Sequence, residues 1–390
     1  MKTVLYLQSG LGEDSFAKMD GVLRYAKAVG WRVQTVPYAM ASLVTRPDVS
    51  RLCCRWKTAI DRWKPAGVIV ESGAICAELS VREFGKLPAV FLDREAERGA
   101  ACVTSDAQAI AEAAARVLLP LKCAAYGYVP FSAPTYWSRD RGLRFAELIR
   151  CAGGDCRIFH TNVAAGDLER SYQALGRWLA SAPRPFGVFA ANDLMGSTVL
   201  DCAQTMRLKV PEDVAVIGVD DNKSICTHTK PPLSSVIPDH GRSGYVAAEL
   251  LDACLAGTSA RRRNATFGVL GTSRRASTFC VHRHDVRVVA AVEYIRRHAC
   301  GSISLADVVK QMKCARRTAE LRFGEIVGHS MLDEIHAVRL EYAKNRLRQT
   351  EASVQDVAAA CGYRTTEQLR RLFLAAKGVS PRVWRQRAKG

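Results

Sequence analysis

Arg370 and Arg371 stand side by side in a stretch whose Leu369, Leu372 and Phe373 recur at helical spacing. With those three turned inward, the two guanidinium groups point outward. A guanidinium fork is the group that most often reads guanine, through O6 and N7 in the DNA major groove. Ahead of it, Val354, Val357, Ala358 and Cys361 form a shorter apolar stripe behind Ser353, a residue type that caps helix N-termini. Gly362 supplies a left-handed residue to stop this first helix, and Thr365 or Thr366 caps the second. Gly378 and Ser380-Pro381 end the unit. Two short helices about a glycine turn, the second basic on its outer face, read as a helix-turn-helix. The same residues also fit an ordinary helical hairpin with a solvated basic face.

A second group of polar side chains stands at the ends of apolar runs. Asn192, Asp193 and Asp220 each follow a segment expected to be a strand, where a loop facing a cleft begins. Asp193 fits a helix N-cap equally well. No catalytic constellation stands out. Gly10-Leu11-Gly12 lacks the Gly-Lys-Ser/Thr of a nucleotide loop, and the eight histidines join no recognisable Ser or Cys nucleophile motif. The fourteen cysteines run from Cys53 to Cys361 without a Cys-x-x-Cys or a zinc spacing. Cys53 and Cys54 cannot easily bridge each other. The thiols read as small buried hydrophobes in a reducing cytoplasm, and neither metal nor cofactor is expected.

A repeat in the tail decides between helix-turn-helix and hairpin. Ser304-Leu305-Ala306-Asp307-Val308-Val309 matches Ser353-Val354-Gln355-Asp356-Val357-Ala358, and Leu321-Arg322-Phe323 matches Arg371-Leu372-Phe373. Gly328-His329-Ser330 echoes Gly378-Val379-Ser380. Between the copies Leu332, Ile335, Leu340, Ala343 and Leu347 form one apolar stripe. A helix of about eighteen residues there is roughly 27 Å long. It can hold two recognition helices near one DNA turn, about 34 Å, apart. With Ala319 and Phe323 inward, the first recognition helix offers Arg316, Arg317, Glu320 and Leu321 to a groove. The second offers Arg364, Thr365, Thr366, Glu367, Arg370 and Arg371.

This tail of about 105 residues resembles the AraC/XylS DNA-binding domain. The residues that carry the likeness are Gly362-Tyr363, Thr365-Thr366, Phe373, Gly378-Val379-Ser380-Pro381 and Trp384-Arg385. It departs from the pattern at Leu369, which is usually Phe, and at Leu374-Ala375, usually basic. In the first copy Lys313 takes the place of the turn glycine and Ala315 that of the capping serine, while Leu321 and Gly324 fill positions that are usually polar or basic. Lys313 must then sit in a strained turn or a different one, which predicts weaker binding by the first copy.

The elements that position these groups follow from the rest of the chain. Its 390 residues suggest two or three domains, with 48% hydrophobic and 24% charged residues, both globular values. The net charge of +18 is uneven: residues 281–390 hold 21 Lys/Arg against 11 Asp/Glu. A basic tail implies a polyanionic partner, most simply nucleic acid. No apolar run approaches a membrane span, and Met1-Lys2-Thr3-Val4-Leu5-Tyr6-Leu7 is a first strand rather than a signal segment. Strands are expected at 4–7, 32–36, 67–70, 89–92, 101–104, 124–129, 157–160, 187–190, 215–219 and 235–237. Helices fit at 16–29, 106–118, 140–152, 168–181 and 193–204. The alternation makes an α/β domain of parallel sheets, and about 280 residues favour two lobes. Ligands in such sheets bind at the carboxyl ends of strands.

Five segments in series make this half resemble the LacI/GalR effector domain, which has the two-lobed periplasmic-binding-protein fold. They are Leu87–Arg94, Phe189–Gly196, Val210–Asp221, Leu233–Pro238 and Gly244–Leu251. An effector domain before an AraC-type tail is the arrangement of XylR-type xylose-operon regulators, whose Trp-Ser-x-x-Arg segment matches Trp137-Ser138 and Arg141. The resemblance implies a sugar effector, xylose or another pentose, bound by Arg141, Asn192 and Asp220, with Asp193 and Asp221 next. Trp137 either stacks on the sugar or packs. Arg139 could take the role of Arg141, and Asp93-Arg94 reads as a hinge-side ion pair ahead of a sugar contact. The expected layout is a sensing domain at 1–278, a linker at 279–285 and an all-α double helix-turn-helix domain at 286–390. The implied partners are double-stranded DNA, a second copy of the chain, and RNA polymerase if the regulator activates. A sugar-processing α/β enzyme and a solute-binding protein are the rival readings; sugar binding without turnover and salt-sensitive DNA binding separate them from a regulator.

Overall fold

The computed structural model describes residues 1–10, 12–37, 55–72, 79–95, 100–132, 135–160, 167–257, 264–279, 286–327, 329–350, 352–377 and 379–389. Of the expected linker only Phe279 is among them. Cys53-Cys54, Leu11 and the turn glycines Gly328 and Gly378 also lie outside the described residues. The chain forms two compact units, Met1–Cys280 and Val281–Gly390. No helix among the described residues is long and apolar enough to cross a membrane.

The first unit is built on two six-stranded sheets. One holds β1 (Thr3–Gln8), β2 (Arg32–Pro37), β3 (Gly67–Glu71), β4 (Ala89–Leu92), β5 (Ala101–Ser105) and β11 (Asn264–Phe267), in the order 2-1-3-4-5-11 and parallel throughout. The other holds β6 (Ala125–Val129), β7 (Cys156–Ile158), β8 (Phe186–Ala190), β9 (Val214–Val219), β10 (Ser234–Pro238) and β12 (Val269–Ser273), in the order 7-6-8-9-10-12. Only β12 on β10 is antiparallel. Val4 to Leu7 are buried without a break, as are all six residues of β9, because helices cover both faces of each sheet.

The ten expected strands are present within about two residues. Two more, β11 and β12, escaped the sequence reading. They are short edge strands around Gly268, mostly half-exposed, so their burial pattern has no clear alternation. They matter because the chain passes between the sheets three times, after β5, after β10 and between β11 and β12. At this seam the Asp106 N–H donates to the Phe267 carbonyl and the Asp239 N–H to the Gly268 carbonyl, each at 2.9 Å.

Helices α1 (Glu13–Val29), α2 (Arg55–Trp63), α3 (Ala107–Leu118), α4 (Tyr136–Cys151), α5 (Leu168–Ala180), α6 (Asp193–Thr205), α7 (Lys223–Cys226) and α8 (His240–Leu255) cover the sheets. α4 begins four residues before the expected Asp140, and so takes Tyr136, Trp137 and Ser138 into its first turn. α1 and α8 touch at the backbone: a Cβ on Gly244 would lie 1.8 Å from the Lys18 carbonyl oxygen, and one on Gly21 2.0 Å from that of Gly241. Only glycine permits this approach. It sets the Lys18 backbone of α1 directly against Gly244 in the first half of α8.

The second unit is all helix: α9 (Val286–His298), α10 (Leu305–Met312), α11 (Arg316–Val327), α12 (Met331–Gln349), α13 (Val354–Ala360), α14 (Thr366–Lys377) and α15 (Pro381–Lys389). Ser304-Asp307, Ser330-Asp333 and Ser353-Asp356 each close a reciprocal capping box. Ser380-Pro381, read above as the end of the unit, instead begins α15: the Ser380 hydroxyl accepts from the Val383 N–H, and proline suits a first helical turn. Trp384 of α15 packs edge-on to Phe373 with ring centres 5.7 Å apart.

Candidate ligand cleft and nucleic-acid interface

Both sheets of the first unit reverse strand order between their first and third strands, at β1/β3 and at β6/β8. Crevices for ligands open at the carboxyl ends of strands at such points. Three aspartates there, Asp93, Asp220 and Asp221, have φ of 55°, 103° and 52°. Backbone strain of this kind in non-glycine residues clusters at functional sites.

The wall on the first sheet is organised by Lys18, which is 4% exposed. Its ammonium lies 2.6 Å from Asp93, 3.0 Å from Asp14 and 3.5 Å from Glu71. Burial works against its charge, but Asp93, Asp14 and Glu71 together hold its pKa well above the ordinary lysine value. Glu71 also accepts from Ser15 Oγ at 2.7 Å, Ser9 N at 3.2 Å and Tyr6 Oη at 3.3 Å. Glu71 is therefore satisfied and serves as scaffold. Asp14 and Asp93 keep part of their surface accessible, 39% and 18% of the side chain. Burial pushes the Asp14 carboxyl up, yet Lys18 and His240 bring it down to about 2. Asp93, expected to pair with Arg94, takes Lys18 instead, while Arg94 lies over the Phe91 ring and donates to the Leu79 carbonyl.

The opposite wall starts α4. Arg141, 5% exposed, donates from Nη1 to the Ala191 carbonyl at 2.7 Å and lies 4.8 Å from the centre of the Trp137 ring. Trp137 in turn packs on Phe131, 5.4 Å between centres. Arg139 is exposed and bonds Glu95 at 3.0 Å and Asp140 at 2.9 Å, whereas Arg141 is buried, which makes Arg141 the better candidate of the two. Tyr136 was not singled out from the sequence. Burial and then the Asp93 charge push its phenol well above the ordinary value, which leaves it a proton donor.

The remaining aspartates divide by role. Asp220 Oδ1 lies 3.3 Å from His240 Nε2 and its side chain is 28% exposed. Asp193 is 2% exposed and accepts from Ser235 Oγ at 2.6 Å and from the Asn222 N–H at 2.7 Å, tying down the loop after β9. It is not the cap of α6; Asn192 is, its Oδ1 accepting from Met195 N at 3.0 Å. Asp221 is buried between Arg275, at 2.5 Å, and Lys223. Three buried polar atoms at this site have no hydrogen-bond partner among the described residues: Tyr136 Oη, Arg141 Nε and His240 Nδ1. Leaving such a group unmatched costs about 1–3 kcal/mol, which a ligand bearing hydroxyls can offset.

In the second unit the buried residues settle which way each helix faces. Ala319 and Phe323 are fully buried on α11, as are Leu369 and Phe373 on α14. Arg316, Arg317, Glu320, Leu321, Arg364, Thr365, Glu367, Arg370 and Arg371 are exposed, and Thr366 is half-exposed. Arg316 pairs with Glu320 at 2.8 Å and Arg370 with Glu367 at 3.6 Å; Arg371 is the more direct candidate for a base edge. Thr365 rather than Thr366 caps α14, through Gln368 N at 3.1 Å. Lys313 ends α10 with φ 47° and ψ 40°, the strained left-handed turn that Gly362 takes freely at φ 76° in the second copy.

Burial, together with the Asp220 carboxylate, pushes the Asp193 carboxyl up to about 7 against the hydrogen bonds from Ser235 and Asn222. A raised carboxyl binds its proton in the fold and releases it in the unfolded chain, where the pKa is about 3.9. Its contribution to stability is present below about pH 4 and falls as pH rises through about 7. Asp193→Asn should flatten the fall in melting temperature between about pH 4 and 7 relative to the wild type. An unchanged slope in thermal melts across that range counts against Asp193 as the titrating group.

Comparison with known proteins gives the same two parts. Residues 115–278 match the family of periplasmic binding protein-like domains, and residues 308–387 a helix-turn-helix domain family. The chain is 28% identical over 261 residues to the xylose operon regulatory protein of Escherichia coli (strain K12), which covers 67% of this chain and 66% of that protein. The Haemophilus influenzae protein of the same name is 28% identical over 251 residues, 64% of this chain and 65% of its own length. The chain thus spans just under two thirds of these curated relatives. A solved structure described as the xylose-binding transcription activator xylR is similar in fold, with a TM-score of 0.60 and 22% identity over 99% of this chain and 98% of that one. With a helix-turn-helix domain behind a periplasmic binding protein-like domain, this chain has the two-part build of the xylose operon regulatory proteins to which it is similar.

Proposed function

We propose that the chain is a cytoplasmic, sequence-specific transcriptional regulator that binds a pentose, xylose or a close relative, in its first unit and an operator in its second. The observation that carries the sugar half is the pairing of unmatched buried polar atoms with accessible carboxylates. Tyr136 Oη, Arg141 Nε and His240 Nδ1 stand near Asp14, Asp93 and Asp220. A neutral polyol offers both donors and acceptors and answers both kinds of group. The names of the relatives favour xylose among such ligands. Asp193, Asp221 and Asn192 hold the loops that present the site, and Trp137 backs Arg141.

Arg141→Ala and Asp220→Ala should each weaken pentose binding at least about tenfold, since each removes a charge-assisted hydrogen bond of about 1.5–3 kcal/mol. Basal DNA binding should persist, because the two units fold around separate cores. Calorimetry with a panel of pentoses checks this, and unchanged affinity in both variants would move the site elsewhere in the cleft.

On the DNA side Arg371→Ala should relax base preference at one position and weaken binding by about 1–3 kcal/mol. A selection from random duplexes that returns the wild-type motif would remove Arg371 from the reading set. A uniform loss across sequences would make it a phosphate contact.

Coupling of sugar to DNA needs an element with two states that both ligands bias. Lobe closure in one copy moves only its own tail. In a homodimer joined through the first unit, closure changes the placement of two tails on two repeats, and linked binding gains through effective concentration. RNA polymerase is a further partner if the regulator activates. Light scattering of the full chain with and without xylose should give a dimer; a monomer at tens of micromolar would discard the paired arrangement.

A further inference from the structure

Arg339 lies midway along α12, the helix that runs from one helix-turn-helix to the other. Its guanidinium reaches into both halves. Nε donates to the Ala299 carbonyl at 2.6 Å and Nη2 to the Gly301 carbonyl at 3.4 Å, so it holds the end of α9 in the first half. The same group lies 5.9 Å from the centre of the Tyr363 ring, in the turn between α13 and α14. Gly362 of that turn has φ 76°, and a Cβ on it would come 3.0 Å from the Ala299 carbonyl oxygen and 3.1 Å from Arg339 Nε and Nη2. The end of α9, the middle of α12 and the second turn thus meet around one planar cation. One turn back, His336 is held below its ordinary pKa by burial and then by Arg339, with Arg371 of α14 adding to it.

We propose that Arg339 is a positioning residue that fixes the angle between the two recognition helices, so that the domain accepts two half-boxes of DNA at a single separation. The proposal rests on the DNA-binding reading above. DNA geometry makes the constraint sharp: one added base pair shifts the second half-box by about 3.4 Å and turns it by about 35°. A guanidinium fork bonded to two carbonyls is directional, and the helices cannot follow such a turn without breaking it. A flexible joint would tolerate the change by swinging.

The test uses the full-length chain and a duplex that it selects from a random pool. Affinity is then measured with one base pair added or removed between the two half-boxes of a single site. The wild type should lose roughly tenfold or more at either altered spacing, as for a mismatched site. Arg339→Met keeps the stem but no donor; it should bind the original spacing more weakly yet lose less than about threefold on altering it. Circular dichroism establishes that the variant is folded at the assay temperature, and Arg339→Lys, with one compact donor in place of the fork, replaces it if it is not. A folded variant with the wild-type spacing penalty overturns the proposal even if it binds more weakly throughout, because a merely structural role lowers affinity alike at every spacing. Failure of the chain to select any sequence would overturn the DNA-binding reading instead.

Discussion

Two backbone hydrogen bonds, from Asp106 N–H to Phe267 and from Asp239 N–H to Gly268, stitch the three places where the chain passes between its sheets. The cleft depends on that seam. A chain that crossed once would leave two lobes free to separate; three crossings held together restrict them to opening about one line. Parallel strands end at the same edge, so each sheet delivers its loops to the same side. The lobes already touch across the opening, at Arg139 and Glu95 and at the Lys223 N–H and Glu13.

Within the cleft, the balance of buried polar groups separates scaffold from contact. Lys18 sits among three carboxylates, and removing one partner of a buried ion pair costs about 3–5 kcal/mol. Glu71, with four donors around it, is fixed for the same reason. Asp193 and Asp221 likewise use their oxygens on the protein itself. What is left with unspent capacity is a smaller set, with Tyr136, Arg141 and His240 facing Asp14, Asp93 and Asp220. The glycine contact between α1 and α8 decides how near those two helices come, since any side chain at Gly21 or Gly244 would push them apart.

The second unit repeats one local grammar three times, a serine that caps and an aspartate three residues on that caps in return. The copies differ at the turn. Lys313 carries the left-handed strain that glycine avoids, at a cost of about 1 kcal/mol. The turn of the second copy is glycine for two reasons, its φ and the guanidinium of Arg339 against it.

Much of this was legible in the sequence because it is local. Ten strands announced themselves as apolar runs, the helix-turn-helix repeat through caps and stripes, and the outward face of α14 through the spacing of Leu369 and Phe373. The place of Asp220 just after a strand could also be read from order alone, whereas Arg141 was pointed to by the resemblance of its Trp-Ser-x-x-Arg segment and not by its spacing. The tertiary structure decided what depends on residues distant in sequence. Asp93 might have paired with its neighbour Arg94, but the fold brings Lys18 to it from 75 positions away. Asn192 and Asp193 are adjacent and nearly equivalent as a cap, and only the placement of Ser235 and Asn222 assigns one to α6 and the other to the loop. Tyr136 and His240 had no local signal, since an aromatic beside Trp137 and a histidine after Asp239 reach the candidate cleft only when two sheets close on them. The edge strands β11 and β12 exist because partners were already in place to pair with them, a pairing that their own residues barely encode.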